Sequence, residues 1–462
     1  MNDARRGAAR AQPAWARGLA AILDRPSPRV FWIAIAIATL IPQHLYLANA
    51  MHVLEHGEYG GSPSYGQIAA SIVHSGRYSL DGIHFTTYRP PLYPLFLAGA
   101  MKLAGGSWLP LSALLQSMIT WLAGLLMLAL VWRLTRDRLA VAIGALLWAS
   151  HLFLHNDVLG QSETSLYLLF TVAFFLVLQG GARSAVSCIG LGVLAGLAHL
   201  TRPTGILLVP ILAAVPWGAW RRDGIGAAGR AALATWLPFV LVVLPWQTTI
   251  YRNFGVVTAS SSLTGGLNFY KGNNRDLLTM VPRVWYDPYH PWVVRELRAH
   301  GITSRNDAVV DRFLIARTLD YIRAEPGQFL EGVGMKLFAL HSPAPTPFGH
   351  ADFVQGEGGK LVLENYQRVD TPARRFETVH WTVVVIGVVL FLVALARGTA
   401  GASAGAVAPM GAFVLMTTVV HALTVGSTRY RLPMDPFLIL AAAIAWAALL
   451  RRGRHSMGRQ IA

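Results

Sequence analysis

Apolar stretches of seventeen or more residues recur along this chain, and each is long enough to cross a hydrocarbon core about 30 Å thick. That single feature leaves few folds open. Of the 462 residues 54% are hydrophobic and only 13% charged, too little charge to cover the surface of a soluble protein this long. The sequence therefore reads as an all-α, polytopic transmembrane helical bundle. A disordered chain, a secreted disulfide scaffold and a soluble nucleic-acid binder are excluded. The lone cysteine, Cys188, lies in an apolar run, so neither an intramolecular disulfide nor a cysteine metal cluster is available.

The net charge of +16 raises the question of where the charge sits. Ten spans are expected, at about 30–50, 109–132, 139–156, 164–180, 184–200, 204–219, 231–250, 378–396, 407–425 and 432–450. The first ends in Ala48-Asn49-Ala50, which looks like a signal-peptidase site, but its basic leader and apolar core are longer than a signal peptide has. It reads as a retained span with the N-terminus inside. The loops then assigned to the inside hold 18 Lys/Arg and 4 Asp/Glu, while the remainder holds 21 and 19. This asymmetry is the positive-inside rule, and no nucleic-acid partner is needed to explain the charge.

The chain divides accordingly. Residues 1–29 form a basic cytoplasmic N-terminus, and 30–250 a first transmembrane module with a periplasmic loop at 51–108. Residues 251–377 form a second periplasmic segment, and 378–462 the last spans and a basic tail. Two apolar stretches, 91–104 and 329–341, are short for full spans and read as interfacial helices, with a short buried span as the alternative for the first. Within 305–324, Val309, Phe313, Ala316, Leu319 and Ile322 fall on one helical stripe. No internal repeat is evident, which counts against a transporter built from inverted repeats.

Several motifs carry chemistry. Ser64-Tyr65-Gly66-Gln67-Ile68-Ala69 opens a short amphipathic helix. Tyr88-Arg89-Pro90-Pro91 follows, where the proline pair enforces extended backbone and holds a cation at membrane level. Later come Ser162-Glu163-Thr164, then Gly196-Leu197-Ala198-His199-Leu200-Thr201-Arg202-Pro203, then Leu244-Pro245-Trp246 with Arg252-Asn253-Phe254-Gly255. Gly272-Asn273-Asn274 and Arg429-Tyr430-Arg431-Leu432-Pro433 complete the series. This ordered set resembles the GT-C superfamily of membrane glycosyltransferases, in particular the dolichyl-phosphate-mannose protein mannosyltransferase and ArnT-like family. The resemblance implies a bundle in a bacterial inner membrane with its active site facing the periplasm. The reaction it implies is sugar transfer, usually inverting, from a polyprenyl-phosphate carrier to a periplasmic glycan, lipid or protein.

Such a reaction needs a base for the acceptor hydroxyl and cations for the phosphate leaving group. The family places an aspartate shortly before the tyrosine that Tyr65 matches, where this sequence has Gly61, Ser62 and Pro63. Glu58, in a glycine-flanked run, is the candidate base, the alternative being a solvated loop glutamate. Glu163 is the supporting acid, or a helix N-terminal charge with Ser162 as cap. Tyr65, Arg89, Arg202, Arg429 and Arg431 are candidate donor-binding residues, with anchoring at the membrane interface as the alternative for Arg89, Arg429 and Arg431. Arg202, at a helix break before Pro203, reads equally as a phosphate ligand or half of a structural ion pair. Lys271, Asn273 and Asn274, in a Gly-rich turn, offer amides for sugar hydroxyls or simply turn chemistry.

No cofactor is required. A divalent cation, if any, would take Asp157 and Glu163, since the fifteen histidines are scattered and form no ligand pair of zinc spacing. The rival reading is a transporter or lipid-carrier-binding membrane protein without chemistry. Reporter fusions after positions 108, 158 and 300 are expected to read periplasmic, and after 136, 225 and 455 cytoplasmic. A periplasmic signal at 136 would make 91–104 a full span and overturn this topology.

Overall fold

Helices here are set less by propensity than by which faces lipid and neighbouring helices accept. The computed structural model describes residues 23, 25–55, 63–160, 162–281, 290–302, 306–343, 353–355, 361–363 and 372–452. The first helix, α1 (Pro28–Glu55), carries Ile33, Ile37, Ile41 and Leu45 on one stripe, all at least half exposed. An outward row of large apolar side chains is stable only against hydrocarbon. Its opposite face is tied to α4 (Trp108–Thr135), where Gln43 donates to Ser117 Oγ at 3.0 Å and Trp121 Nε1 donates to the Ala36 carbonyl at 3.1 Å. Such bonds hold helices together where lipid offers no hydrophobic drive.

Between them lie α2 (Pro63–Ser75) and α3 (Leu92–Ala104). Gly105 ends α3 at φ 53°, a conformation other residues rarely adopt, and the chain folds back. Tyr93 in α3 donates to Gln116 Oε1 in α4 at 2.6 Å, so α3 lies against α4 rather than extending it.

After α4 come α5 (Arg138–Ala149) and α6 (Leu152–Leu159), bent by 50° at Ser150-His151. The single straight span expected over 139–156 is thus a broken one. The chain continues through α7 (Thr164–Leu178), α8 (Ala185–Thr201), a 3₁₀ turn (Pro203–Leu208), α9 (Val209–Asp223) and α10 (Ile225–Phe254). Helices α8 and α10 approach closely through a small-residue pair: a Cβ on Gly192 would stand 2.1 Å from the Thr235 carbonyl oxygen, and one on Gly196 2.8 Å from Val242.

The second large segment holds α11 (Gly265–Lys271), α12 (His290–Ala299), α13 (Asp307–Ala324) and α14 (Pro326–His341). A small sheet of β1 (Met280–Val281), β2 (Phe353–Gln355) and β3 (Leu361–Leu363) joins them in the order β1-β3-β2, with β1 parallel and β2 antiparallel to β3. The expected stripe of α13 is not its buried face. Ala308, Leu314, Thr318 and Tyr321 are buried, whereas Ala316 and Leu319 are exposed. Polar contacts turn the helix: Asp307 accepts from Thr86 Oγ1 at 2.9 Å and Thr87 Oγ1 at 3.0 Å, and Asp311 from the Gly266 amide at 2.6 Å.

The bundle closes with α15 (Pro372–Ala396), α16 (Ala404–Leu423), α17 (Thr428–Arg431) and α18 (Asp435–Arg452). All ten expected spans are helical. By length and composition alone, six helical runs among the described residues suffice to cross a membrane, and the bent α5–α6 pair makes a seventh. Helices α7 and α8 have 15 and 17 residues, and α18 carries Asp435, Arg451 and Arg452 at its ends. The chain is a multi-pass helical membrane protein. Its largest core packs α4, α5, α7, α8 and α18 around Trp148, Phe174, Phe175, Phe413 and Phe437.

Gly192→Leu is expected to lower thermal stability in detergent by the equivalent of about 1–3 kcal/mol, because the Thr235 backbone cannot yield. An unchanged melting temperature would mean that α8 and α10 do not meet there.

Candidate functional site

Charged side chains from Arg89 to Arg429, 340 positions apart in the sequence, meet at one end of this bundle. Helix α2 starts at Pro63 and turns Ser64 and Tyr65 inward, with the Tyr65 ring edge-on to Tyr93 at 4.8 Å. Arg89 precedes two prolines, and Tyr78 pins that turn by donating to the Arg89 and Pro90 carbonyls at 2.9 and 3.0 Å. Its guanidinium lies 4.4 Å over the Tyr65 ring, and Nε donates to Ser64 Oγ at 2.9 Å. Arg202 occupies the break after α8 in extended conformation (φ −149°, ψ 135°), as its neighbour Pro203 requires. Its guanidinium lies 5.4 Å over Tyr430 and 6.0 Å over Tyr167.

Glu163, buried just before α7, is the common partner. Tyr65 donates to its Oε2 at 2.7 Å, Arg202 Nε stands 3.6 Å from Oε1, and Arg429 Nη2 4.0 Å from Oε2. Arg429 also reaches Asp157 at 3.4 Å, and Asp157 accepts from Ser162 Oγ at 2.7 Å. Among the described residues three guanidiniums face two carboxylates, one positive charge in excess.

Burial would raise the Glu163 pKa. The guanidiniums of Arg202, then Arg429 and Arg89, together with the Tyr65 hydrogen bond, outweigh it and bring the carboxyl down to about 2. Glu163 is thus an ionised counter-ion rather than a group poised to take a proton. Burial and the Glu163 charge push Tyr65 the other way, so it stays a neutral phenol and donates.

Of the residues singled out from sequence, Tyr65, Arg89, Asp157, Glu163, Arg202 and Arg429 converge. Glu58 lies outside the described residues. Arg431 does not join: it is fully buried 3.2 Å from Asp435, donates to the Ser342 carbonyl at 2.9 Å, and lies 3.4 Å over the Trp381 ring. Adjacent odd positions in a four-residue helical turn diverge, which the triplet pattern did not reveal. Asn273 Nδ2 donates to the Phe269 and Leu423 carbonyls, both at 2.9 Å, while its Oδ1 accepts from Lys336 at 2.6 Å. Asn274 donates to the Tyr270 and Lys271 carbonyls at 2.9 and 3.2 Å. These two amides close a turn, in which Lys271 contributes its carbonyl.

Nor is the site an open cavity. Glu163 and Arg202 are buried, and Arg429 is the most accessible of the ion pairs' members, its side chain 22% exposed. A groove of ≈ 610 Å³ lies between α2 and the α3–α4 turn, lined by Pro63, Gly66, Ala70, Met101 and Trp108 among others. Asp157 and Glu163 share Arg429 rather than facing one another alone. Sequence reasoning missed the ring faces of Tyr167 and Tyr430, and also a buried group formed by His151, Glu377, His380 and Asp435.

No protein-family model matches the sequence, and no curated protein matches it. Among solved structures the chain is similar to the Archaeoglobus fulgidus oligosaccharyltransferase tethered with an acceptor peptide, at 13% identity and a TM-score of 0.48, over 92% of this chain and 50% of that one. This chain thus spans half the length of that protein. It is also similar to ArnT from Cupriavidus metallidurans bound to undecaprenyl phosphate, at 15% identity and a TM-score of 0.34, over 94% of this chain and 79% of that one. The apo form of the same protein gives 16% identity and 0.34, over 88% and 77%.

The low pKa of Glu163 fixes the sign of a test. Its stabilising contribution is complete above the unfolded pKa near 4.5 and is lost as pH falls toward 2. Glu163→Gln should therefore lower the melting temperature at neutral pH, and its deficit against wild type should shrink below about pH 4. A deficit independent of pH would remove the charge argument.

Proposed function

We propose that this chain is a GT-C-type membrane glycosyltransferase that moves a sugar, with inversion, from a polyprenyl-phosphate donor to a glycan, lipid or protein acceptor. The end of the bundle that carries the arginines would face the periplasm of a bacterial inner membrane. The observation that supports this reading is the convergence of Arg89, Arg202 and Arg429 on one buried carboxylate, with a net positive charge and Tyr65 as a neutral donor.

In the proposed reaction the acceptor oxygen attacks the anomeric carbon and the carrier phosphate leaves. Guanidiniums stabilise the charge that develops on the phosphate, so the leaving group needs no proton. Arg429, the most accessible member of the ion pairs, receives the phosphate first, and the anion displaces the Asp157 and Glu163 contacts that hold the arginines in the resting state. Until that exchange Glu163 acts as a positioning residue, keeping three like charges together. The hydroxyl still needs a base, and a carboxylate titrating at about 2 is a poor one. Glu58 remains the proposed base, contributing roughly 10²–10⁴-fold in rate.

The low pKa of Glu163 also favours the rival, a carrier-binding protein without chemistry, because the carboxylate that the arginines surround is a poor base. The experiment that separates the two supplies membranes with polyprenyl-phosphate sugar and acceptor. Glu58→Gln should lose nearly all turnover while retaining donor binding, and Glu163→Gln should lose less. Arg429→Lys should already impair turnover, since lysine lacks the fork that fits phosphate oxygens. Normal transfer by Glu58→Gln would place the base elsewhere. Absence of transfer in wild type, with donor bound, would favour the rival.

A further inference from the structure

The second buried group, around His151, is assembled from three parts of the chain. His151 sits at the α5–α6 bend, Glu377 and His380 one turn apart at the start of α15, and Asp435 at the start of α18. All four are buried. His151 uses both ring nitrogens: Nε2 is 2.8 Å from Asp435 Oδ2, and Nδ1 is 2.8 Å from Glu377 Oε1. His380 Nδ1 is 3.0 Å from Ser150 Oγ. Glu377 Oε2 accepts from the Phe153 amide at 3.3 Å.

What remains is informative. His380 Nε2 is buried with no hydrogen-bond partner among the described residues, while His151 Nδ1 and Glu377 Oε1 have only one another, at 2.8 Å. Buried polar atoms are seldom left so, and each calls for an explanation. One ligand atom from each of these three residues can be chosen so that all lie within 4.8 Å of one another. Tetrahedral ligands about 2.0–2.2 Å from a zinc ion stand roughly 3.4 Å apart, so closing on an ion takes only side-chain shifts of about 1 Å.

We propose that His151 Nδ1, Glu377 Oε1 and His380 Nε2 bind one divalent transition-metal ion, of which zinc fits the nitrogen–oxygen donor set best. The outer contacts suit the task. Asp435 on the far nitrogen of His151 forms the carboxylate–histidine–metal arrangement that fixes the tautomer, and Ser150 does the same for His380. The Phe153 amide holds the second Glu377 oxygen away from the ion. Arg431, paired with Asp435, balances that outer carboxylate. Binding displaces the proton from His151 Nδ1 and leaves the fourth position to a water or an anion. The ion would clamp the α5–α6 bend to α15, and α6 is the helix that presents Asp157 to Arg429. These residues are separate from Asp157 and Glu163, and the inference does not rest on glycosyl transfer.

The test uses the full chain purified in detergent without a histidine tag. After dialysis, elemental analysis should find about one zinc per chain. Chelator-stripped protein titrated with Co²⁺ should develop visible d–d absorption that saturates at one equivalent. Glu377→Gln and His380→Ala should lose that band, whereas His84→Ala, at an exposed histidine, should keep it. Asp435→Asn should keep the band and weaken Co²⁺ affinity at least tenfold. Wild type that takes up no saturable Co²⁺ overturns the proposal even if the variants fail to fold. So does Glu377→Gln with unchanged stoichiometry and affinity.

Discussion

A carboxylate removed from water must be compensated where it stands, and much at this end of the bundle follows from how Glu163 is compensated. A buried ion pair is weak evidence for stability, but removing one partner of it is costly, about 3–5 kcal/mol. The chain meets that constraint with Arg202 from a helix break, Arg429 from a short turn, Arg89 from a proline-stiffened loop and the Tyr65 hydroxyl. Each supporting feature has its reason in that requirement. Pro203 ends α8 where Arg202 must leave the helical path, and Tyr78 holds the Arg89 carbonyl so that its side chain can lie over Tyr65. The resulting group is closed, positively charged and rich in bidentate donors, which is the chemistry of an anion site held shut by its own carboxylates.

The membrane and the site depend on one another. Large apolar faces are committed to lipid, so polar contacts concentrate at helix ends and breaks, where irregular backbone is tolerated only if buried in protein. The bend at Ser150-His151, the break at Arg202 and the turn at Thr428–Arg431 are three such places. They supply His151 to one buried group and Arg202 and Arg429 to the other. The arginine group and the histidine group share two elements, α6 with the bend before it and the turn carrying Arg429 and Arg431.

Hydropathy made the spans legible, because each needs one long apolar run and nothing from elsewhere. The Arg202 break was legible for a similar reason, since a proline acts on its immediate neighbour. Periodicity was less reliable. It offered a stripe through Val309 and Leu319, and contacts of Asp307 and Asp311 with distant segments turned a different face of α13 inward. Arg431 looked like a twin of Arg429, and only the packing of Asp435, Ser342 and Trp381 separates them. The histidines looked scattered because His151 and His380 are 229 positions apart, and no local spacing announces a pair that tertiary structure creates. The bend of α5–α6 was hidden in a continuous apolar run.

The central claim is that Arg89, Arg202 and Arg429 receive a lipid-linked phosphate in exchange for Glu163. The most direct measurement compares thermal stabilisation of the purified full chain by a polyprenyl phosphate and by the matching polyprenol, in wild type and Arg429→Ala. Only the phosphate should stabilise wild type, and that shift should vanish in Arg429→Ala while the protein stays folded. Equal stabilisation by the polyprenol, or a phosphate-dependent shift that survives Arg429→Ala, would contradict the account.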